Sequence, residues 1–407
     1  MASDQAKRKA IQIILLFGLV SLCGDLVYEA ARSVNGPYLK ILAANAAIVG
    51  LIAGAGEFLG YALRLVSGYF SDKIKAYWLF IFLGYGLIIA VPMLSLAGIW
   101  QVAAVFILFE RIGKAIRSPA RDTVLSSAAS QVGTGWGFGL HEALDQIGAV
   151  AGPLIFVFVL ALSKNNHQDI LVYQAGYRLL WIPFVMMMVC LVLARAKLAR
   201  AQQLEAASPV NQEEKLSRVF WLYAFFSFAA TTGFANFVLI GYHFKTIGLF
   251  HDSWIPLFYA LAMALDAVAA LSIGKIYDVL KIRRKDHRAG LDTLIIIPVL
   301  SIFIPVCAFS HNPFLGVAGV AIWGIVMGAH ETIMRSSIAD ITPLKKRGMG
   351  YGIFNSLYGL AMLIGGALTG LLYEHSLVWL IAFSVIAELA AAALFFMLRR
   401  EACGPIR

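Results

Sequence analysis

Charge is what this chain has least of. Asp, Glu, Lys and Arg supply only 14% of its 407 residues, hydrophobic residues supply 60%, and mean hydropathy is +0.79. A water-soluble domain of that composition would expose a very large apolar surface, so the chain is read as built for a bilayer. Cysteine is also sparse. Cys23, Cys190, Cys307 and Cys403 make no Cys-x-x-Cys spacing, and the first three fall inside apolar runs; neither a disulfide framework nor a cysteine zinc site is implied. No Gly-x-x-x-x-Gly-Lys-Ser/Thr phosphate loop occurs, which removes ATP as an energy source. The pairs His141-Glu142 and His330-Glu331 do not continue into His-Glu-x-x-His, so the zinc-hydrolase pattern fails too. No nucleophile, base and orienting group recur at a recognisable spacing, and no large soluble domain is present. The chain is not read as an enzyme.

What it has instead is long apolar runs. Crossing about 30 Å of hydrocarbon takes roughly 20 apolar residues. Such runs cover 10–33, 46–70, 77–98, 100–119, 135–162 and 178–195, then 218–243, 253–277, 291–309, 313–334, 350–373 and 377–398. All twelve are expected to be helices, because lipid admits only helices or closed barrels, and barrel strands would alternate apolar with polar residues. The fold class is therefore an all-α membrane protein of twelve transmembrane helices.

The chain also reads as written twice. Gly68, Asp72 and Lys75 close the second run, with Lys73 between them, and Gly274, Asp278 and Lys281 close the eighth at the same spacing. Both segments are expected to form short charged turns. Ile116-Arg117-Ser118-Pro119-Ala120-Arg121-Asp122 is echoed by Met334-Arg335-Ser336-Ser337-Ile338-Ala339-Asp340, and Gly135-Trp136-Gly137-Phe138 by Gly350-Tyr351-Gly352-Ile353. Two pseudo-symmetric six-helix bundles are the simplest account. Residues 1–195 would form the first and 218–407 the second, joined by a polar cytoplasmic linker over 196–217.

Lys and Arg set the expected orientation. With both termini in the cytoplasm, the inner segments hold Lys7, Arg8, Lys9, Lys73, Lys75, Lys114, Arg117, Arg121, Lys281, Arg283, Arg284, Lys285, Arg288, Lys345, Lys346, Arg347, Arg399 and Arg400, whereas the outer loops offer chiefly Lys40, Lys164 and Lys245. The same alternation explains the net charge of +10 without nucleic acid, since the basic residues form no continuous patch with interleaved aromatics. Lys7-Arg8-Lys9 followed by an apolar run also fits a signal peptide. Cleavage is not expected, because it would leave eleven runs and break the pairing of halves.

The six-plus-six layout, the basic central linker and the Gly-x-x-x-Asp-Lys segment with its echo resemble the major facilitator superfamily of secondary transporters, over essentially the whole chain. Glu110-Arg111-Ile112-Gly113-Lys114 with Arg117 to Asp122 resembles a prokaryotic branch of it, which implies a bacterial or archaeal cytoplasmic (inner) membrane. Gly148-Ala149-Val150-Ala151-Gly152-Pro153 is similar to the Gly-x-x-x-Gly-Pro segment of the superfamily's antiporters, whereas Leu154-Ile155 stands where a Gly pair usually follows. The resemblance implies alternating access around a central cavity, antiport, and no cofactor beyond a proton gradient.

Charges inside the runs mark the expected site. Runs 3, 6 and 9 are almost free of ionisable residues. Run 1 holds Asp25, Glu29 and Arg32, run 2 Glu57 and Arg64, run 5 His141, Glu142 and Asp145, run 8 Asp266, and run 10 His330, Glu331 and Arg335; Glu388 in run 12 departs from the partition. A charge at bilayer depth costs at least ~2.5–3.5 kcal/mol, so these residues are expected to line a wet cavity. Asp25, Glu29 and Arg32 share one helix face. Arg32 lies nearer Glu29, leaving Asp25 the less compensated acid and a candidate proton carrier. His141 and Asp145, one turn apart, form a second candidate relay. In each case the alternative is a structural network that only fixes helix packing.

Asp72 is expected to cap a helix or pair with Arg117 or Arg121 as a cytoplasmic latch, together with Asp122 and the echoes Gly274, Asp278, Arg335 and Asp340. Gly148 and Gly152 permit close helix approach, and Pro153 removes a backbone donor. Tyr28, Trp136, Phe138, Phe234, Asn236, His243, Asn355 and Tyr358 are candidates to line an organic-solute pocket. The expected function is proton-coupled export of a small organic solute by a monomer in the lipid bilayer. The alternatives are a transition-metal or metal-chelate carrier using Asp25, Glu29, His141 and His243, and, from another class, a membrane-embedded sensor or enzyme.

Overall fold

The computed structural model describes residues 4–129, 132–163, 170–198, 216–284, 286, 288–343 and 347–402. Most of the expected 196–217 linker lies outside these residues, as do Lys164, Lys285, Lys345, Lys346 and Cys403 and the side chains of Lys9, Arg335 and Arg347.

Every regular element among the described residues is a helix. The first half contains α1 (Asp4–Ile41), α2 (Ala46–Ile74), α3 (Tyr77–Gly86), α4 (Ala90–Met93), α5 (Trp100–Ala129), α6 (Thr134–Leu162), α7 (Ile170–Leu179) and α8 (Trp181–Leu198). The second contains α9 (Arg218–Gly233), α10 (Phe237–Ile247), α11 (Trp254–Arg284), α12 (Ile296–Ser301), α13 (Phe303–Ala308), α14 (Pro313–Ile341), α15 (Arg347–His375) and α16 (Leu377–Ala402). Helices satisfy their backbone hydrogen bonds within one segment, which hydrocarbon demands. Several passes are helices in series: α3 with α4, α7 with α8, α9 with α10, and α12 with α13. Twelve passes result. Eleven are apolar enough to cross a membrane by length and composition. The remaining one, α5, has the length but carries Glu110, Arg111, Lys114, Arg117, Arg121 and Asp122.

The helices outrun the apolar runs that announce them. Gly68 to Ile74 is the end of α2, so the expected turn shrinks to Lys75, in left-handed conformation at φ 54°, and Ala76. Its echo, Gly274 to Lys281, lies wholly within α11, and Ile116 to Asp122 lies within α5 despite Pro119. Charged side chains end a hydropathy signal, but they do not end backbone hydrogen bonding. Conversely, the seventh run, expected to be continuous, breaks at Phe234–Asn236. There Asn236 caps α10 by accepting from the Val238 N–H at 2.9 Å.

Two compact units emerge. One comprises Met1–Ala44, Leu59–Ala207 and His251–Ala260; the other Asn45–Phe58, Ser208–Phe250 and Leu261–Arg407. In the first, α1 packs against α5, α6 and α8, and α3 against α5. In the second, α9 packs against α14, α15 and α16, and α13 against α14. Counted by passes, this is one neighbour pattern used twice. Outward faces stay apolar and inward faces do not: on α16, Ile386 is 65% exposed and Glu388 0%.

Glycine sets the closest helix approach in the first unit. A Cβ at Gly148 would lie 2.5 Å from the Leu22 carbonyl oxygen and 2.8 Å from Asp25 Cβ, and one at Gly152 would lie 3.0 Å from the Leu26 carbonyl oxygen. No side chain fits between α1 and α6 there. In the second unit a Cβ at Gly365 of α15 would lie 2.4 Å from the Thr232 carbonyl oxygen of α9. Gly148→Leu is therefore expected to destabilise the protein by about 1–3 kcal/mol or more through overpacking. Gly139→Ala, where nothing lies within 4 Å, is expected to be neutral or stabilising; thermal unfolding of both variants in detergent checks the contrast.

Candidate functional site

α1 sets the site. Ser21, Asp25, Tyr28 and Glu29 are each 3–5% exposed, one or two turns apart on a pass whose outward residues Leu15 and Leu19 are 40% and 42% exposed. Glu29 is fully engaged. It accepts a hydrogen bond from Arg32 Nη1 at 2.8 Å, one helical turn away, and its other oxygen accepts from the hydroxyl of Tyr259 on α11. No ion pair to Asp25 occurs among the described residues.

The Gly148 and Gly152 contact brings α6 against the same stretch of α1. Asp145 is thereby made a close charged neighbour of Asp25, and its Oδ1 has no hydrogen-bond partner among the described residues. One turn earlier, His141 is buried at 3% exposure, with Arg121, Asp145 and Asp122 as its charged neighbours. Its Nε2 has no hydrogen-bond partner among the described residues.

Compensating cations come from α5. Lys114 Nζ stands 4.7 Å from the centre of the Tyr28 ring, and the Arg117 guanidinium lies between Tyr28, at 5.5 Å, and Tyr85, at 4.8 Å. Such cation–π contacts help to hold a buried cation, and Lys114 is also a charged neighbour of Glu29 and Asp25. Arg121 donates to Ser21 Oγ at 3.3 Å and to Asp122 Oδ1 at 2.9 Å. Acids and bases from three helices thus meet along one seam. An ionised group placed singly there would be far more costly.

In the second unit the equivalent place is aromatic. The His330 ring lies 4.9 Å from that of Phe234, and its Nδ1 is 3.2 Å from the Tyr358 hydroxyl. Phe234 stacks on Trp323 at 5.8 Å. Asp266 is buried at 3% exposure against Gly328 of α14.

The remaining expected site residues are spread out. Glu142, Asp72, Lys73, Asp122 and Asp278 are exposed, and Glu57, Arg64, Glu331, Phe138, Asn236 and Asn355 are half-buried. Arg64 lies over Tyr61 at 4.8 Å. Trp136 is 55% exposed. Asp72 sits beside Tyr77 rather than at Arg117 or Arg121, whose neighbours are those given above. In the echo, it is Asp340 that collects partners: Lys281 Nζ donates to it at 2.7 and 2.9 Å, and the Tyr277 hydroxyl at 2.7 Å. His243 is paired through Nδ1 with the Tyr373 hydroxyl at 2.9 Å. No group of three His, Cys, Asp or Glu side chains placed to hold a metal ion occurs among the described residues. Tyr259 and Ser21 escaped sequence reading. A lone tyrosine and a lone serine in apolar runs carry no pattern that marks them.

A chain of twelve helical passes in two similarly packed units, with its charges drawn to inner faces, has the build of a secondary membrane transporter. It belongs to the major facilitator superfamily, whose sequence profile matches residues 17–291 and 287–404. It is 36% identical to an uncharacterized protein of Mycobacterium tuberculosis over 403 residues, 97% of this chain and 95% of that one. It is also 30% identical over 172 residues, 42% of this chain and 43% of the other, to an uncharacterized MFS-type transporter of Methanocaldococcus jannaschii. Among solved structures, a POT family transporter in complex with a thioalcohol-conjugated peptide superposes with TM-score 0.73 at 13% identity, covering 95% of both chains. A bacterial homolog of the human lysosomal transporter Spinster does so with TM-score 0.70 at 14% identity, covering 100% of both, and the nucleoside transporter NupG with 0.65 at 14%, covering 95% of this chain and 98% of that one. At such identities the likeness is one of fold. The protein is an integral membrane transporter and not an enzyme.

Arg32→Leu is expected to cost about 3–5 kcal/mol of stability, because it strips the buried Glu29 of its cation. The double variant Arg32→Leu with Glu29→Gln is expected to recover most of that loss; denaturant unfolding of both in detergent measures the difference.

Proposed function

We propose that the protein is an exporter that exchanges protons for a small organic solute across a prokaryotic cytoplasmic membrane, with Asp25 as the proton carrier. The observation that supports this is the Asp25–Asp145 pair in the closely packed α1–α6 seam. Ionised carboxylates only accept hydrogen bonds. Two carboxylates this close repel each other unless one of them holds a proton. Loss of that proton leaves two like charges side by side, which is the kind of local change that biases a two-state carrier. Arg32 and Tyr259 already engage Glu29, so Asp25 is the acid free to change state.

Antiport and export are supported by the likeness of Gly148 to Pro153 to the antiporter segment, the same residues that seat Asp145 beside Asp25. Both termini are assigned to the cytoplasm from the Lys and Arg distribution. The buried aromatic cluster of Phe234, His330 and Tyr358 has the chemistry that suits an organic solute. Transport would be driven by the proton gradient with no cofactor, by a monomer.

Purified protein in liposomes loaded with a pH-sensitive dye is expected to change lumenal pH when a transported solute, chosen from a panel ranked by thermal shift, is added outside. Asp25→Asn is expected to reduce that proton flux at least tenfold. Proton movement at the original rate in this variant would remove Asp25 from the mechanism.

A further inference from the structure

A further buried acid lies outside the transport cluster. Glu388 is 0% exposed, on a helix whose Ile386 and Leu389 are 65% and 55% exposed, and neither carboxyl oxygen has a hydrogen-bond partner among the described residues. A carboxylate so placed, with no cation paired to it, is too costly to stand alone. What surrounds it is oxygen. Ser384 lies one turn away on the same face of α16, and Ser301, the last residue of α12, stands beside the carboxyl. Both serines are buried, and neither hydroxyl has a partner among the described residues.

Two helix breaks converge on the same place. α9 stops at Gly233, where a Cβ would lie 3.0 Å from Glu388 Oε1 and 3.0 Å from the Ser384 carbonyl oxygen. The last turn of α9 therefore abuts the carboxyl, bringing the negative end of a helix dipole. α12 stops at Ser301 and α13 resumes at Phe303, because Pro305 has no N–H to give the Ser301 carbonyl four residues earlier. α9, α12 and α16 pack on one another, and all three groups fall near the middle of their passes.

We infer that Glu388, Ser384 and Ser301, with the ends of α9 and α12, form a sodium site. Every ligand is a hard oxygen, which suits alkali and alkaline-earth ions and not soft metals. One carboxylate balances a single charge, where a divalent ion is ordinarily met by more than one. The close approach of Gly233 to Ala387 Cβ, 3.0 Å from a built Cβ, favours sodium over the larger potassium. Helix ends beside a buried carboxylate are a physical solution to dehydrating sodium inside a membrane. The site uses none of the residues assigned to proton transfer.

The test uses the purified full chain in detergent with radioactive sodium ion alone, and thermal unfolding in sodium, potassium or choline chloride at fixed ionic strength. Wild type is expected to bind sodium saturably, with potassium a weak competitor, and to unfold at higher temperature in sodium than in choline. Glu388→Gln should abolish binding. Should that variant not fold, Ser301→Ala and Ser384→Ala are each expected to raise the half-saturating sodium concentration about tenfold. Asp25→Asn should leave sodium binding unchanged, which separates this site from the proton pair. The inference is overturned by an absence of saturable binding, as a permanently protonated Glu388 would give. It is equally overturned by binding that survives Glu388→Gln or both serine variants, or by binding lost in Asp25→Asn.

Discussion

An ionised side chain at bilayer depth is held only where other groups compensate it, at a cost of at least ~2.5–3.5 kcal/mol if they do not. That constraint explains why α1, α5 and α6 bring their charges to one place. Glu29 has Arg32 and the Tyr259 hydroxyl, Arg121 has Asp122 and Ser21, and Lys114 and Arg117 share the Tyr28 ring. The seam between α1 and α6 is then more than packing. Without Gly148, Asp145 would stand off from Asp25 by the thickness of a side chain.

The two units repeat their packing and not their chemistry. α1 and α9 occupy matching places, each against the fourth, fifth and sixth passes of its unit. Yet α1 carries Asp25, Glu29 and Arg32, while the buried polar side chains of α9 are the hydroxyls of Tyr223, Ser227, Thr231 and Thr232. Where the first unit is ionic, the second is ringed by Phe234, Trp323, His330 and Tyr358. A glycine seats the first pass against the fifth in each unit, Gly148 in one and Gly365 in the other; the side chains around it diverge.

Much of this was legible. Twelve apolar runs, their helical nature and the inward drift of charge follow from hydropathy and spacing, and Asp25, Glu29 and Arg32 share a face because a helix repeats every 3.6 residues. The turns were harder. Gly68 to Lys75 looks like a loop because charge interrupts hydropathy, but α2 runs through it to Ile74. The break at Phe234–Asn236 was hidden for the opposite reason, since the run stays apolar while the backbone turns extended and Asn236 starts a new helix.

By itself the sequence determined that the chain lies in a membrane, that it is two related sets of helices, and which residues cannot face lipid, because each of these depends only on local polarity and period. Only the tertiary structure decided who meets whom. Tyr259 reaches Glu29 across 230 positions, Asp145 finds Asp25 through a glycine on another helix, and Glu388 comes to face Gly233 and Ser301. Such pairings depend on how closely two backbones approach, a quantity no single helix encodes.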